Sequence, residues 1–111
     1  MKTHFTPGVI MTLQDYISQK IKERGFEDET LHERLLLLME EVGELANACR
    51  KISGMNVDIN RTIDNEVGEE VADVIAMVFA VGIKLGLDIE KEFIAKDKKT
   101  DKRVYKRSQA K

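Results

Sequence analysis

The sequence has few of the residues that stop helices or cross-link a chain. Its 111 residues include one cysteine, one proline and no tryptophan. A lone cysteine excludes a disulfide within the chain, and because the single proline is Pro7, no helix after it is interrupted by the residue that breaks helices most strongly. Cys49 falls on an apolar stripe, so we expect it to pack in the core.

Long apolar runs are also missing. No segment approaches the roughly 18–20 consecutive apolar residues of a membrane span, and the first residues lack the apolar core of a signal peptide. We therefore expect a cytoplasmic protein with no membrane partner. With 42% apolar and 34% charged residues, the composition is that of an ordinary globular protein, and the length predicts one domain covering residues 1–111.

Charge is unevenly distributed along the chain, although the net charge is only −2. Residues 96–111 carry eight Lys or Arg and two Asp, so this end is +6 and residues 1–95 are −8. We divide the domain into an irregular N-terminus (1–11), a helical core (12–95) and a basic C-terminal tail (96–111). The tail is compatible with contact to a nucleic acid or membrane surface, with a supply of cations for substrate phosphates, and with a solvated end.

Two long segments carry apolar residues at helical spacing. The first stripe is Leu31, Leu35, Leu38, Val42, Leu45, Cys49 and Ile52, and the second is Val67, Val71, Val74, Val78, Val81 and Leu85. Alternating steps of four and three residues are typical of the buried face of an α-helix. The sequence contains no alternating pattern of useful length that would predict a strand.

Capping and turn residues indicate where the helices begin and end. Thr30 and Glu33 have the spacing of a capping box, Thr12 and Asp88 are candidate N-caps, and glycines follow the apolar stripes. The predicted helices cover about residues 12–25, 31–53, 60–86 and 88–94. The fold class is therefore all-α, a bundle of about four helices. Its apolar surface exceeds what four short helices bury, so we expect a homo-oligomer, dimer or tetramer, that completes the core.

The most informative pattern is an acidic phrase that occurs twice. Residues 40–45 read Glu-Glu-Val-Gly-Glu-Leu, and residues 69–74 read Glu-Glu-Val-Ala-Asp-Val. Each copy contains a pair of carboxylates three residues apart, Glu41 with Glu44 and Glu70 with Asp73. Side chains at that spacing lie on one face of a helix. Each carboxylate precedes a residue of the apolar stripe, which predicts a position beside the core.

The alternative to a metal site is a solvated face, which acidic residues on helices usually form. Such faces pair Glu with Lys or Arg three or four residues away. None of the four carboxylates has a basic residue at those offsets. Two carboxylates about 5 Å apart repel by roughly 3 kcal/mol at an effective dielectric constant of about 20. A hard divalent cation would offset this repulsion, so the pattern favours a metal site formed by Glu41, Glu44, Glu70 and Asp73.

In its order and spacing the doubled motif, Glu-Glu-x-x-Glu followed by Glu-x-x-Asp, resembles that of the all-α nucleoside triphosphate pyrophosphohydrolases of the MazG and MazG-like group. The resemblance covers about residues 31–85. It implies hydrolysis of a ribo- or deoxyribonucleoside triphosphate to a monophosphate and pyrophosphate by a metal-activated water, as a house-cleaning activity on the nucleotide pool. The implied cofactor is Mg²⁺, with Mn²⁺ as a substitute, held by the same four carboxylates.

The resemblance extends to other positions. A family pattern of the form Lys-x-x-x-Asn-x-x-Arg aligns with Lys96 and Arg103, which implies that both bind substrate phosphates, whereas Thr100 stands where the family has Asn. First-helix residues line the nucleotide pocket in the family, which here implies Tyr16, Lys20 and Arg24.

Glu40, which precedes the first carboxylate pair, is a candidate either to orient the metal ligands or to accept a proton, and a solvated surface glutamate is the equally weighted alternative.

A function of a different class is a non-enzymatic helical interaction module, or a nucleic-acid-associated protein that uses the basic tail. It accounts for the tail and for the apolar surface, but not for four unpaired carboxylates at matching positions, and nucleic-acid binding is not the expected function. A di-iron carboxylate bundle is disfavoured because His4 lies in the irregular N-terminus and His32 at a helix start, so neither histidine has the Glu-x-x-His arrangement that such bundles place on their ligand helices.

Overall fold

A computed structural model describes residues 3–60 and 66–108 of the chain. It contains four helices: α1 (Val9–Glu23), α2 (Leu31–Ile52), α3 (Val67–Lys84) and α4 (Ile89–Asp101). Within these two ranges there is no β-strand, so the predicted all-α class is confirmed. None of the described helices is long and apolar enough to cross a membrane.

Local sequence signals predict most helix ends correctly. At the start of α2, the Glu33 amide donates to the Thr30 hydroxyl at 3.1 Å and the Thr30 amide donates to the Glu33 carboxylate at 3.0 Å, which is the predicted capping box. Gly25, Gly54 and Gly86 follow α1, α2 and α3 with positive φ of 76°, 80° and 71°. Glycine adopts this left-handed conformation without the steric cost that a Cβ atom brings.

The predicted start of α1 is wrong. The helix begins at Val9, and Thr12 lies inside it, donating its hydroxyl hydrogen to the Gly8 carbonyl oxygen at 2.7 Å. The first turn is instead capped by Glu90 of α4, whose carboxylate accepts from the amides of Gly8 (2.9 Å), Ile10 (3.0 Å) and Met11 (3.2 Å). Because the capping residue lies about 80 residues away in the sequence, no local sequence pattern predicts this helix start.

Two other boundaries also differ from the prediction. Asp88 caps α4 as expected, with its carboxylate accepting from the Lys91 amide at 3.0 Å, but the helix continues to Asp101 rather than ending at Ile94. The first part of the basic tail is therefore helical. Helix α3 begins at Val67, and Asn60, where it was expected to begin, lies in a turn. The rest of that predicted start, residues 61–62, falls outside the described residues.

Replacement of Glu90 by Gln tests the remote cap of α1. The carboxylate accepts three backbone hydrogen bonds that a neutral amide oxygen accepts more weakly, so we expect the free energy of unfolding to fall by about 1–2 kcal/mol. Urea unfolding followed by helical circular dichroism measures this loss. Glu92→Gln removes the same charge from an exposed position in the same helical turn and should change stability by less than about 0.5 kcal/mol. Equal effects of the two substitutions would contradict the capping role.

The helices pack as an open arrangement built on α3. Helix α2 packs against α3, α1 packs against α3 and α4, and α3 also contacts α4. Among the described residues, Ala48 and Ala80 are the buried apolar side chains. The Cα radius of gyration is 17.8 Å, whereas a compact chain of about 100 residues has roughly 13 Å. One copy of the chain therefore buries little of its apolar surface.

The buried line of α2 is rotated by one residue from the predicted stripe. Arg34 and Ala48 are buried, whereas Leu35, Val42 and Cys49 are exposed. The prediction that Cys49 packs in the core is therefore wrong for the single chain. Residues 34, 41 and 48 lie seven apart, on one line of the helix surface. Glu41, which was predicted to lie beside the buried stripe, is therefore on the line of α2 that contacts α3.

Candidate metal centre and adjoining pocket

The two acidic phrases meet where α2 packs on α3. Glu41 and Glu44 of α2 and Glu70 of α3 each offer a carboxylate oxygen, and these oxygens lie within 4.8 Å of one another. The pairing follows from helical spacing, because residues three apart project from one face and the two phrases lie on packed helices. Three of the four predicted ligands are thus brought together in one cluster, which we call the acidic triad.

Asp73, the fourth predicted ligand, is exposed and lies outside the acidic triad. Its negative charge nevertheless raises the pKa values of Glu41 and Glu70, so it lies close enough to interact with both. Glu40, the candidate proton acceptor, is exposed, in agreement with its predicted rotation away from the carboxylate pairs.

Two oxygens of the acidic triad are buried without a hydrogen-bond partner. Glu70 is 5% exposed, and neither its Oε2 atom nor the Oε2 atom of Glu41 has a partner among the described residues. Burial raises the pKa of the Glu41 carboxyl to about 7, and the charges of Glu44 and Asp73 add to this effect. Burial, followed by the charges of Glu44 and Asp73, also raises the pKa of Glu70. Ionisation of Glu41 and Glu70 is therefore opposed in the absence of a cation.

The residues present fit a hard divalent cation. Mg²⁺ and similar ions prefer carboxylate oxygens, usually retain water, and are commonly held by one or more carboxylates together with substrate phosphates. The acidic triad offers three carboxylates, and two buried oxygens have unused acceptor capacity. An uncompensated buried acceptor is costly, whereas a bound cation would satisfy it. This donor set does not distinguish Mg²⁺ from Mn²⁺.

The raised pKa of Glu41 predicts how stability depends on pH in the presence of chelator. Between its ordinary value of 4.5 and about 7, the folded protein holds a proton that the unfolded chain releases. The free energy of unfolding should therefore fall as pH rises through this window. From about pH 5 to pH 8 we expect the wild type to lose about 1–2 kcal/mol more than Glu41→Gln, after allowing for solvent near the group.

Urea titrations at several pH values measure this difference. A saturating divalent cation should remove this trend, because the metal-bound carboxylates hold no proton and the folded and unfolded states then bind nearly equal numbers of protons between about pH 5 and pH 8. Parallel pH profiles for the wild type and Glu41→Gln would contradict a shifted pKa at Glu41.

A pocket of about 300 Å³ adjoins the acidic triad. It is enclosed by α1, the connection to α2, and the facing parts of α2 and α3, and Glu41 and Asp73 form one part of its lining. Tyr16, Lys20 and Arg24, the first-helix residues expected at a nucleotide pocket, also line it. This volume is at the lower end of the range for small-molecule sites. The pocket thus combines carboxylates, cations and an aromatic ring.

Lys20 and Tyr16 are already in contact with other groups of α1. The Lys20 ammonium lies 5.5 Å from the centre of the Tyr16 ring and 3.2 Å from a carboxylate oxygen of Glu23. The ion pair with Glu23 is exposed, so it contributes little and leaves the ammonium able to move towards an anion.

The C-terminal cations lie elsewhere in the single chain. Lys96 is on α4 and Arg103 follows that helix, and neither lines the pocket next to the acidic triad. The hydroxyl of Thr100, the residue that differs from the family pattern, donates to the Lys96 carbonyl oxygen at 3.1 Å. Within one chain, Lys20 and Arg24 are the basic residues that line the pocket with Glu41, and a phosphate-binding role for Lys96 and Arg103 stays a prediction.

Sequence reasoning did not anticipate three residues at this site. Phe26 and Glu29 line the pocket from the α1–α2 connection, and Arg34 is buried behind them. Its guanidinium donates from Nη1 to the Ala80 carbonyl oxygen (2.7 Å) and from Nη2 to the Phe26 carbonyl oxygen (3.2 Å). Arg34 stands seven residues before Glu41, and that spacing is a signal that could have placed it on the same buried line.

Comparison with models of known protein families finds none that matches this chain, and no curated protein is detectably similar to it. The acidic triad, the adjoining pocket and the doubled motif are the features of this chain that point to a function.

Proposed function

We propose that the protein is a Mg²⁺-dependent nucleoside triphosphate pyrophosphohydrolase, which converts a ribo- or deoxyribonucleoside triphosphate to the monophosphate and pyrophosphate. One observation carries the proposal: three carboxylates converge within 4.8 Å, two of them with buried, unpartnered oxygens, beside a pocket lined by Lys20 and Arg24. Carboxylates for a cation and cations for an anion, in adjoining positions, suit a substrate that carries several phosphates.

Each residue of the proposed site would have a separate role. Glu41, Glu44, Glu70 and Asp73 would hold Mg²⁺, which when bound neutralises phosphate charge and lowers the pKa of water. Lys20 and Arg24 would attract the triphosphate and stabilise charge that develops on the departing pyrophosphate. Glu40 is the candidate to accept the proton of the attacking water. Tyr16 would contact the nucleoside.

The proposal includes a homo-oligomer. Each long helix leaves an apolar stripe exposed at the same spacing, i, i+4 and i+7: Leu35, Met39 and Val42 on α2, and Val71, Ile75 and Val78 on α3. Exposed apolar surface of this extent on a chain with so small a buried core favours association with a second copy. A second α2–α3 pair laid on the first would form a four-helix bundle.

Pyrophosphate release from a panel of ribo- and deoxyribonucleoside triphosphates, with Mg²⁺, with Mn²⁺ and with chelator, tests the activity. We expect metal-dependent release of pyrophosphate with a nucleoside monophosphate as the second product. Release of inorganic phosphate and a diphosphate would contradict the proposed site of cleavage. A folded preparation that turns over no triphosphate would remove the enzymatic proposal and favour the interaction module, whose exposed apolar stripes would then bind another protein.

Light scattering coupled to size-exclusion chromatography tests the association. A dimer or tetramer of the 12.7 kDa chain is expected. Val42→Glu with Val78→Glu would place charges on both apolar stripes and should shift the mass towards the monomer. A wild-type protein that stays monomeric at high concentration would contradict the proposed oligomer.

A further inference from the structure

The end of the pocket away from the acidic triad is formed by the α1–α2 connection. Phe26 and Glu29 lie on this connection and line the pocket, whereas Glu41 lines it from the middle of α2. Ten residues separate Glu41 from the first residue of α2, a distance of about 15 Å along the helix axis. A ligand that reaches from the acidic triad to Glu29 is therefore elongated, as a nucleoside triphosphate is.

The pocket presents two aromatic rings and, at this end, one carboxylate. Tyr16 and Phe26 are 59% and 49% exposed, so ring faces are available to a ligand in a chain that has only six aromatic residues. Exposed aromatic faces stack on nucleobases of every kind, with little regard to identity. Selection among bases therefore has to come from a polar group, and Glu29 is the acidic residue at this end of the pocket lining.

Glu29 forms an ion pair with a buried cation, the guanidinium of Arg34. Its Oε1 atom lies 3.9 Å from Nε of Arg34, whose side chain is 3% exposed, and that Nε atom has no hydrogen-bond partner among the residues described. The ion pair with Arg34 draws the Glu29 carboxylate towards one position. Arg34 also binds the Phe26 carbonyl oxygen, so the same guanidinium positions both residues of the connection. A carboxylate has about four lone-pair sites, so the contact with Arg34 leaves acceptor capacity for a ligand.

We propose that Glu29, positioned by Arg34, reads the hydrogen-bond donors of the base and makes this pocket selective for guanine nucleotides over uracil and thymine nucleotides. This inference rests on the proposed nucleotide site. An ionised carboxylate only accepts hydrogen bonds. Guanine presents two adjacent donors on its pairing edge, the ring N1–H and the 2-amino group, which match the two oxygens of one carboxylate.

The other bases match Glu29 less well. Uracil and thymine present a single N–H between two carbonyl oxygens, and those oxygens would face the carboxylate charge. Cytosine and adenine present one amino group beside an unprotonated ring nitrogen, which gives one favourable contact and one repulsive contact. A hydrogen bond to a charged group contributes about 1.5–3 kcal/mol, so the guanine nucleotide should bind about 10–100-fold more tightly than the uracil nucleotide.

Equilibrium binding of α,β-methylene triphosphates tests this selection independently of hydrolysis, because the bond that would be cleaved is blocked. Guanosine, inosine and uridine analogues are titrated into the wild-type protein with Mg²⁺. Inosine keeps the ring N–H of guanosine and lacks only the 2-amino group. We expect the order guanosine, inosine, uridine in the wild type, and a guanosine-to-uridine ratio within about threefold in Glu29→Gln, whose amide replaces one acceptor by a donor.

Glu27→Gln is the matched control. It removes the same charge from the same connection, but Glu27 does not line the pocket that contains Glu41. The control should retain the wild-type ratio of affinities. A ratio unchanged in Glu29→Gln, or equal binding of the three analogues to the wild type, would overturn the inference, as would the absence of any nucleotide binding. The comparison of inosine with guanosine uses the wild-type protein, so it tests the predicted base selection even where Glu29→Gln fails to fold.

Failure of this inference is distinguishable from failure of the proposed hydrolysis. Metal-dependent turnover at equal rates and equal KM for all bases would leave the hydrolase intact and remove the role of Glu29. Guanine-selective binding of the blocked analogues, with no turnover of the natural triphosphates, would support the role of Glu29 and remove the hydrolase. In a turnover assay, the effect of Glu29→Gln should lie in KM for the guanine nucleotide, with kcat changed less.

Discussion

Glu41→Gln combined with Glu70→Gln is expected to abolish divalent-cation binding and triphosphate hydrolysis while the helices remain folded. The two side chains supply the buried, unpartnered oxygens of the acidic triad, one from each helix. Glutamine keeps the size of the side chain, but it offers a neutral oxygen in place of a carboxylate. Because a hard cation is held mainly by charge, loss of both carboxylates should weaken Mg²⁺ binding by more than about 100-fold.

The same double substitution should stabilise the metal-free protein. The wild type holds these carboxyls with raised pKa values, since burial and neighbouring carboxylates oppose their ionisation. Neutral amides remove the repulsion, so the midpoint of thermal unfolding with chelator should rise at about pH 8 and change little at about pH 5, where Glu41 is protonated. Loss of activity with a gain in stability separates a functional site from a structural one.

Three measurements check this prediction. Isothermal titration with Mg²⁺ reports binding, pyrophosphate release reports turnover, with an expected loss of at least about 1,000-fold, and thermal unfolding with chelator reports stability. Glu66→Gln with Glu69→Gln is the matched control, because it also removes two carboxylates from α3 and its N-cap, both at exposed positions. Unchanged hydrolysis in the Glu41 and Glu70 variant would remove the metal assignment. An equal loss in the control would show that charge in general, rather than the acidic triad, is required.

Arg34→Ala is expected to cause the largest loss of stability of any single substitution considered. Arg34 is 2% exposed, and its guanidinium links α2 to the Ala80 carbonyl oxygen of α3 and to the Phe26 carbonyl oxygen of the α1–α2 connection. Alanine removes both charge-assisted hydrogen bonds and leaves a cavity. We expect the free energy of unfolding to fall by about 3–4 kcal/mol.

Arg50→Ala is the control for this substitution. Arg50 also belongs to α2 and also donates to a backbone carbonyl oxygen, that of Asn56 at 2.7 Å, but it is exposed. Its replacement should cost less than about 1 kcal/mol. Arg34→Lys should be nearly as harmful as Arg34→Ala, because an ammonium cannot reproduce the planar fork that reaches two carbonyl oxygens. Urea unfolding of the three variants measures the differences. Equal stability of Arg34→Ala and Arg50→Ala would contradict a structural role for the buried guanidinium.

Local chemistry accounts for what could be predicted about the fold. The existence of four helices, the capping box at Thr30 and the glycines after α1, α2 and α3 follow from spacing and backbone preferences that act over a few residues. Two of the errors arose where a distant residue makes the deciding contact. Helix α1 starts earlier because Glu90 caps it, and the buried line of α2 is rotated because Arg34 and Glu41 face α3. Contacts between distant residues have no periodic signature in either segment.

The candidate site was predictable in part for the same reason. The doubled acidic phrase identified the carboxylates that could meet, since residues three apart share a helix face. It did not reveal that Asp73 stays exposed outside the acidic triad. Lys20 and Arg24, which were predicted from the first helix, line the pocket of the single chain, whereas Lys96 and Arg103 do not. Phe26 and Glu29 were not anticipated, because a short connection between helices carries no periodicity from which the direction of a side chain can be read.

Residue order predicts the helical class, the approximate helix ends and the two pairs of carboxylates, because hydrogen bonds within a turn and side-chain spacing along one helix are local properties. The packing of the helices sets which face of α2 meets α3, which carboxylates are buried together, and which cations and aromatic rings share their pocket. These features depend on how helices that are far apart in the chain pack together. The burial that results raises the pKa values of the carboxyls of Glu41 and Glu70. The pKa of Glu41 is raised to about 7 by the removal of water, by the charge of Glu44 on the same helix and by the charge of Asp73 on α3. The burial and the charge of Asp73 arise only because α2 packs on α3.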